Sequence, residues 1–309
     1  MRLLKHQARR LSVGLIYVGF VGIVLLIYIG PLGKFTYSNA GLVTRQVLWN
    51  YGILVLFIGL LWVFRRVGSR RSVPQLPGTP RQFYVLLGSL VVLLGIVLVL
   101  WIKVAPWIEL QIHSNHLQSL SLLARKTLLN GIPGVIVTAI MVALSVWQLK
   151  GWWRQSFSMS WGSVLLTVAL IVLSIILSAV KNHLSAAREL VIPTGGIENF
   201  ILIFAAQFFI NGLQEETYFR GYVFPQLLAW MKSPLLAAWV MSILFNAYHI
   251  PSLVIGQHWV LSWWQWMLFC MFPIQPTGLL FAAIYYRTRS VLPGALFHTY
   301  LSQWAFMFF

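Results

Sequence analysis

Residues 11–30 read L-S-V-G-L-I-Y-V-G-F-V-G-I-V-L-L-I-Y-I-G, a run of apolar residues and glycine with no charge in it. A helix of that length reaches about as far as the hydrocarbon core of a bilayer is thick. Hydrogen bonding in lipid leaves helices or closed barrels as the spanning options. The run lacks the period-2 alternation of a barrel strand, so a helix is the reading. Arg2, Lys5, Arg9 and Arg10 precede it. It is nevertheless longer than the usual apolar region of a signal peptide, and no clear small-x-small site follows, so it reads as a retained span.

The same reasoning carries along the chain. Further apolar runs at about 46–64, 83–102, 130–149 and 161–180 read as spans. A sixth starts near Ile197, after Gly195-Gly196, and runs beyond Arg220. Three more fall at about 235–249, 264–286 and 291–308, with Pro273 and Pro276 placed to kink the middle one or to delay its start. The basic loop that holds Pro74, Pro77 and Pro80 is an irregular surface connection, and residues 108–127 read as an interfacial helix. The expected fold is therefore an all-α polytopic membrane protein, a bundle of about 8–9 transmembrane helices. Residues 1–190 hold N-terminal helices of no assigned role, and residues 195–309 hold nearly every polar group suited to chemistry.

Composition agrees with that class. Of the 309 residues, 59% are hydrophobic and 9% charged, against about 25% charged in soluble domains. A formal charge of +17 would suggest nucleic acid for a soluble protein, but no basic stripe with interleaved aromatics is present. The Lys and Arg residues gather in short loops instead, and with a cytoplasmic N-terminus the inside loops hold the majority. The expected location is thus a bacterial plasma membrane, with the lipid bilayer as a partner and no nucleic acid. Cys270 is the single cysteine, so an internal disulfide and a cysteine metal cluster are both excluded.

The chemistry gathers around Gln214–Gly221, Q-E-E-T-Y-F-R-G. The chain has five acidic residues, and two of them, Glu215 and Glu216, are adjacent here. A charge near a bilayer is costly and tends to face the protein interior, to pair, or to serve a function. Glu216 and Arg220 are four apart, as are Phe245 and His249 and again His298 and Ser302. On a helix each pair shares one face, so three helices supply one polar set.

These residue types permit activation of water. A poorly hydrated glutamate suits a general base, and His249 could share its proton or bind a metal. His298 could complete a metal site or steady an oxyanion. Glu215, His249 and His298 together are the ligand set of many hydrolytic zinc sites, so a Zn²⁺ cofactor is one expectation and a metal-independent reaction the other. Asn246 and Ser302 are candidate supporting donors.

Each residue also has a plainer reading. Glu216–Arg220 is equally an ion pair at a helix end, either histidine an interhelical donor, Phe245 packing, and Ser302 a donor to its own helix. His113 and His116 are three apart but have only Glu109 near them, and His6, His183 and His258 read as leader or loop residues. The H-E-x-x-H spacing of soluble zincins is absent. One mismatch stands. By helix rise, Glu215 lies about 22 Å in from the outer side and His298 about 12 Å in from the inner side. His249 falls near the outer end of its span.

Across residues 195–305 the chain resembles the CAAX-protease and bacteriocin-processing (Abi) family of intramembrane proteases. Glu215, Glu216 and Arg220 match its E-E-x-x-x-R motif, Phe245 and His249 its Phe-x-x-x-His motif, and His298 its last histidine. The family has Asn or Asp four residues after that histidine, where this chain has Ser302. The resemblance implies a helical bundle with a site open toward the cytosol. Eukaryotic members cleave prenylated or otherwise membrane-associated proteins, and some bacterial members are linked to bacteriocin maturation or immunity. Family members are usually labelled metalloproteases, and the architecture has also been read as glutamate-activated water with an oxyanion site. Carried over, Glu215 and His249 would activate water and His298 would serve as ligand or oxyanion donor.

The implied function is endopeptidase cleavage of membrane-associated proteins or peptides. A non-catalytic immunity or scaffold protein and a proton-coupled transporter stand as the alternatives.

Overall fold

The computed structural model describes residues 17–29, 40–64, 80–99, 156–181, 204–251, 260–273 and 276–308, with a few isolated positions elsewhere. All regular structure among them is helical. In chain order the helices are α1 (Tyr17–Ile29), α2 (Ala40–Val63), α3 (Pro80–Val99) and α4 (Trp161–Lys181). A composite helix, α5, follows, then α6 (Pro234–Pro251), α7 (Trp263–Met271), α8 (Thr277–Thr288) and α9 (Leu292–Phe308).

Helix α5 is built from four pieces: a π segment Phe208–Gly212, one α turn Leu213–Glu215, a second π segment Glu216–Val223, and an α segment Phe224–Met231. Such π segments are rare and concentrate at functional sites, because each inserts a residue and rotates the side chains that follow. Lys232 ends α5 in the left-handed region, at φ 54°, and its N–H closes on the Leu228 carbonyl at 2.9 Å. The chain reverses there and enters α6. Arg289 ends α8 in the same way, at φ 58°.

Helix α6 packs on α5, α7 and α8, while α9 packs on the first π segment of α5 and on α4. One apolar cluster joins Leu86, Leu90 and Leu93 of α3 to Tyr218, Phe219 and Tyr222 of α5, Met241 and Phe245 of α6, and Tyr285 of α8. A second joins Val24 and Tyr28 of α1, Tyr51 and Phe57 of α2 and Leu166 and Leu170 of α4 to Phe281 of α8 and Phe297 of α9. Single hydrogen bonds reinforce both seams. Ser89 and Tyr218 share one of 3.1 Å, Tyr51 donates to the Pro273 carbonyl at 2.8 Å, and Arg287 donates to the Phe64 carbonyl at 3.1 Å. The early helices therefore lie directly against the helices that carry the polar residues.

The expectation of 8–9 transmembrane helices is corrected. Among the described residues two helices are long and apolar enough to cross a membrane, Thr44–Val63 and Pro234–Pro251. In each, 28% of the spanning window is buried within the protein. Shorter apolar stretches lie in α1, α3 and α4, at Tyr17–Ile29, Tyr84–Leu93 and Trp161–Leu177. The run expected at 264–286 divides into α7 and α8, with Pro273 and Pro276 in the break. The run from Ile197 becomes the segmented α5, whose buried Gln214, Glu215, Glu216 and Arg220 make it a polar core helix. The run at 130–149, the interfacial helix expected at 108–127 and the basic N-terminal leader lie almost wholly outside the described residues, as do His6, His113, His116, His183 and His258.

Candidate active site

The second π segment starts at Glu216, so the two carboxylates straddle the change of helical winding. Both are buried, Glu216 completely. Their surroundings differ, and that difference divides their chemistry.

Glu216 is held. Arg220, one turn on and equally buried, brings Nη1 to 2.9 Å from its Oε1. His298 of α9 brings Nδ1 to 3.2 Å from the same oxygen. A carboxylate can only accept, so Nδ1 is the donor and His298 is fixed in that tautomer or fully protonated. On the other side, Gly294 lets the backbone of α9 close on the carboxylate: a Cβ there would lie 2.7 Å from Glu216 Oε2. A similar closure occurs at Gly212, where a Cβ would lie 2.5 Å from the Ala295 carbonyl oxygen. Two glycines on facing helices thus allow α5 and α9 to approach at the level of the carboxylates, as small residues do in close helix pairs.

The Arg220 guanidinium has no aligned hydrogen-bond acceptor among the described residues, although its contact with Glu216 is close. Aromatic faces surround it instead. Its Cζ lies 4.3 Å from the ring centre of Phe245 and 5.0 Å from that of Phe281. Cation–π attraction in a desolvated setting reaches about 2 kcal/mol or more, so the rings offset part of the cost of burying the cation.

Glu215 is not held in this way. His249 Nε2 of α6 lies 3.8 Å from its Oε1, and His298 Nε2 lies 3.7 Å from its Oε2. Both gaps exceed hydrogen-bonding distance and suit a water or a substrate atom between the groups. Glu215 Oε2 has no hydrogen-bond partner among the described residues. His249 is itself oriented, with Nδ1 2.8 Å from the carbonyl oxygen of Phe245. A carbonyl also only accepts, so Nδ1 carries a proton and neutral His249 presents a bare Nε2 to Glu215.

Of the residues singled out in the sequence, Glu215, Glu216, Arg220, His249 and His298 come together, with Phe245 beneath them. Asn246 is buried and donates to the Cys270 carbonyl at 3.1 Å, which ties α6 to α7. Ser302 is half-buried one turn beyond His298 and takes part in none of these contacts. Three neighbours were not anticipated as site residues. Phe281 stacks on His298, with ring centres 4.6 Å apart at 21°. Gln214 donates to the Tyr248 hydroxyl at 3.3 Å, beside Glu215 and His249. Gly294, four residues before His298, has no polar side-chain atom to signal a role.

The zinc expectation is corrected. Among the described residues no three His, Cys, Asp or Glu side chains are grouped so as to hold a metal ion. His249 and His298 address different oxygens of Glu215, at 3.8 and 3.7 Å. Zinc ligands must instead converge on one point at about 2.0–2.2 Å. Glu215, His249 and His298 are therefore no zinc triad here.

The arrangement defines a class: a helical protein with a buried Glu–His–Arg cluster consistent with an active site. Residues 197–302 match the family described as Type II CAAX prenyl endopeptidase Rce1-like. The match covers about a third of the chain, encloses every site residue from Gln214 to Ser302, and agrees with the family that the three motifs resemble. No curated protein and no solved structure matches the chain.

Proposed function

We propose that this protein is an endopeptidase that hydrolyses peptide bonds of membrane-associated proteins or peptides with water activated by Glu215 and His249. The single observation that carries the reading is the unequal treatment of the two carboxylates. Glu216 is bound at Oε1 by Arg220 and His298 and its Oε2 abuts Gly294, whereas both oxygens of Glu215 face imidazole nitrogens across gaps of 3.8 and 3.7 Å. A general base needs such a gap for its water.

A water in the first gap donates one hydrogen to Glu215 Oε1 and the other to His249 Nε2. Its lone pair then points away from both, toward a carbonyl carbon. As the C–O bond forms, Glu215 takes the proton. His298, with Nδ1 held by Glu216, offers Nε2 to the carbonyl oxygen, and a proton on that nitrogen makes it an oxyanion donor. Collapse of the tetrahedral intermediate breaks the C–N bond, and the proton on Glu215 passes to the leaving amine. No step draws on Ser302 or Asn246.

The substrate class follows from family resemblance and from the apolar outer faces of the helices. Leu48, Val55 and Leu56 of α2 and Leu235 of α6 are exposed, as fits a bilayer setting. A transporter reading would use the same carboxylates as a proton site, but Glu216 is locked by its ion pair.

The test is cleavage of a farnesylated C-a-a-X peptide and of an unprenylated membrane peptide by the purified chain in lipid nanodiscs. Glu215→Gln and His249→Ala should each lower cleavage by two orders of magnitude or more, within the range expected of a lost general base. Cleavage that survives both substitutions would refute the reading.

A further inference from the structure

We propose that Phe281 is a positioning residue for this site, one aromatic ring that sets both the plane of His298 and the place of Arg220. The proposal rests on the hydrolytic reading above and adds a residue from outside the three motifs.

Phe281 lies on α8, a helix that contributes no polar group to the site. Its ring is almost completely buried. One contact is the near-parallel stack on His298, 4.6 Å between centres at 21°. Another is the guanidinium of Arg220, 5.0 Å from the ring centre. Phe245 reaches the same guanidinium, at 4.3 Å, but meets His298 at 68° and 6.1 Å. Among the described residues Phe281 therefore supplies the stacking plane for the imidazole.

That plane matters because His298 is held at one point. The contact of its Nδ1 with Glu216 fixes one nitrogen and leaves rotation about Cβ–Cγ to be limited by packing. Nε2, 3.7 Å from Glu215 Oε2, sits at the far side of the ring and swings furthest when the ring turns. A flat partner against the face of the imidazole removes that freedom. A misplacement of about 1 Å at a reacting centre can cost roughly 10²-fold in rate. Phe281 is in turn backed by Phe297, at 6.1 Å, and Phe297 by Phe57 of α2, at 5.4 Å. The ring stack is thus continuous with an early helix.

Phe281→Leu keeps apolar volume and removes the ring, whereas Phe281→Tyr keeps the ring face. Phe57→Leu is the packing control, since it perturbs the same cluster and touches neither His298 nor Arg220. The full chain in nanodiscs should show kcat reduced about 10- to 100-fold in Phe281→Leu with KM within about threefold. Phe281→Tyr and Phe57→Leu should stay within about threefold of the parent. Proton NMR of histidine-labelled protein gives a readout without turnover: the His298 ring signals carry the ring current of Phe281 and should move downfield in Phe281→Leu. Unmoved His298 signals overturn the proposal and leave the hydrolytic reading intact. An equal loss of kcat in Phe57→Leu overturns it too, because the effect would then be general packing. A parent protein that cleaves neither peptide overturns the hydrolytic reading and this proposal with it.

Discussion

Arg220 Nη1 and Glu216 Oε1 meet at 2.9 Å with neither side chain reaching solvent. Two unit charges taken out of water are stable only together, and removal of one partner from a buried pair costs about 3–5 kcal/mol. Arg220→Met should therefore lower the thermal midpoint in detergent markedly and abolish cleavage. Arg220→Lys should restore part of the stability but little activity, because a point charge cannot also lie flat between Phe245 and Phe281. A Met variant with the parent's midpoint would show that the pair does not hold the site.

Gly294 predicts a different signature. A methyl group at this position lies 2.7 Å from Glu216 Oε2, so either the carboxylate or α9 must shift. Both His298 and Gly294 are on α9, and the shift would move His298 against Glu215. Gly294→Ala should cut kcat at least tenfold, with a modest change in midpoint. Alanine is favoured over glycine within a helix by roughly 1 kcal/mol, which offsets part of the clash. Unchanged turnover in Gly294→Ala would mean that the two helices are not pressed together at the carboxylates.

How much of this could be read from the chain divides along physical lines. The polar set was legible because charges are scarce and helical spacing of four places Glu216 with Arg220 and Phe245 with His249. The depth mismatch of His249 was an error of helix length. The sixth run, expected to pass Arg220, continues to Met231, and the chain reverses at Lys232 into α6. Glu215 and His249 are then almost equally far from the turn, on antiparallel helices, and so at one level. The π winding at Glu216–Val223 has no signature in apolar periodicity, and Phe281 and Gly294 carry no polar atom that would single them out. The span count failed for a related reason. Hydropathy registers apolar runs, but it does not see that Pro273 and Pro276 divide one run or that buried amides and carboxylates turn another into core.

Asn246 and Ser302 were both named as supporting donors, and their surroundings predict separate outcomes. The side-chain amide of Asn246 is spent on the Cys270 carbonyl. Asn246→Ala should leave that carbonyl short of a donor and cost on the order of 1 kcal/mol of stability, with KM unchanged. Ser302 is only half-buried and is a partner in none of the hydrogen bonds or ion pairs of the site. Ser302→Ala should keep kcat within about threefold. A tenfold loss in Ser302→Ala with normal stability would assign the hydroxyl to the reaction after all.

The last prediction concerns chelators. The nitrogens of His249 and His298 face Glu215 from two sides at 3.8 and 3.7 Å, and the opposite nitrogens are committed to the Phe245 carbonyl and to Glu216. A zinc ion needs its ligands at about 2.0–2.2 Å from one centre, and among the described residues no three His, Cys, Asp or Glu side chains are grouped so as to hold one. Water activation through Glu215 and His249 requires no such centre. Cleavage should therefore persist after dialysis against 1,10-phenanthroline or EDTA, within about twofold of the untreated protein, and remain sensitive to Glu215→Gln. The readout is rate against chelator concentration, with metal content measured in the same samples. Loss of activity with loss of stoichiometric zinc, and recovery on its return, would show that the rings regroup around an ion, and the water-activation scheme would have to be rebuilt on that geometry.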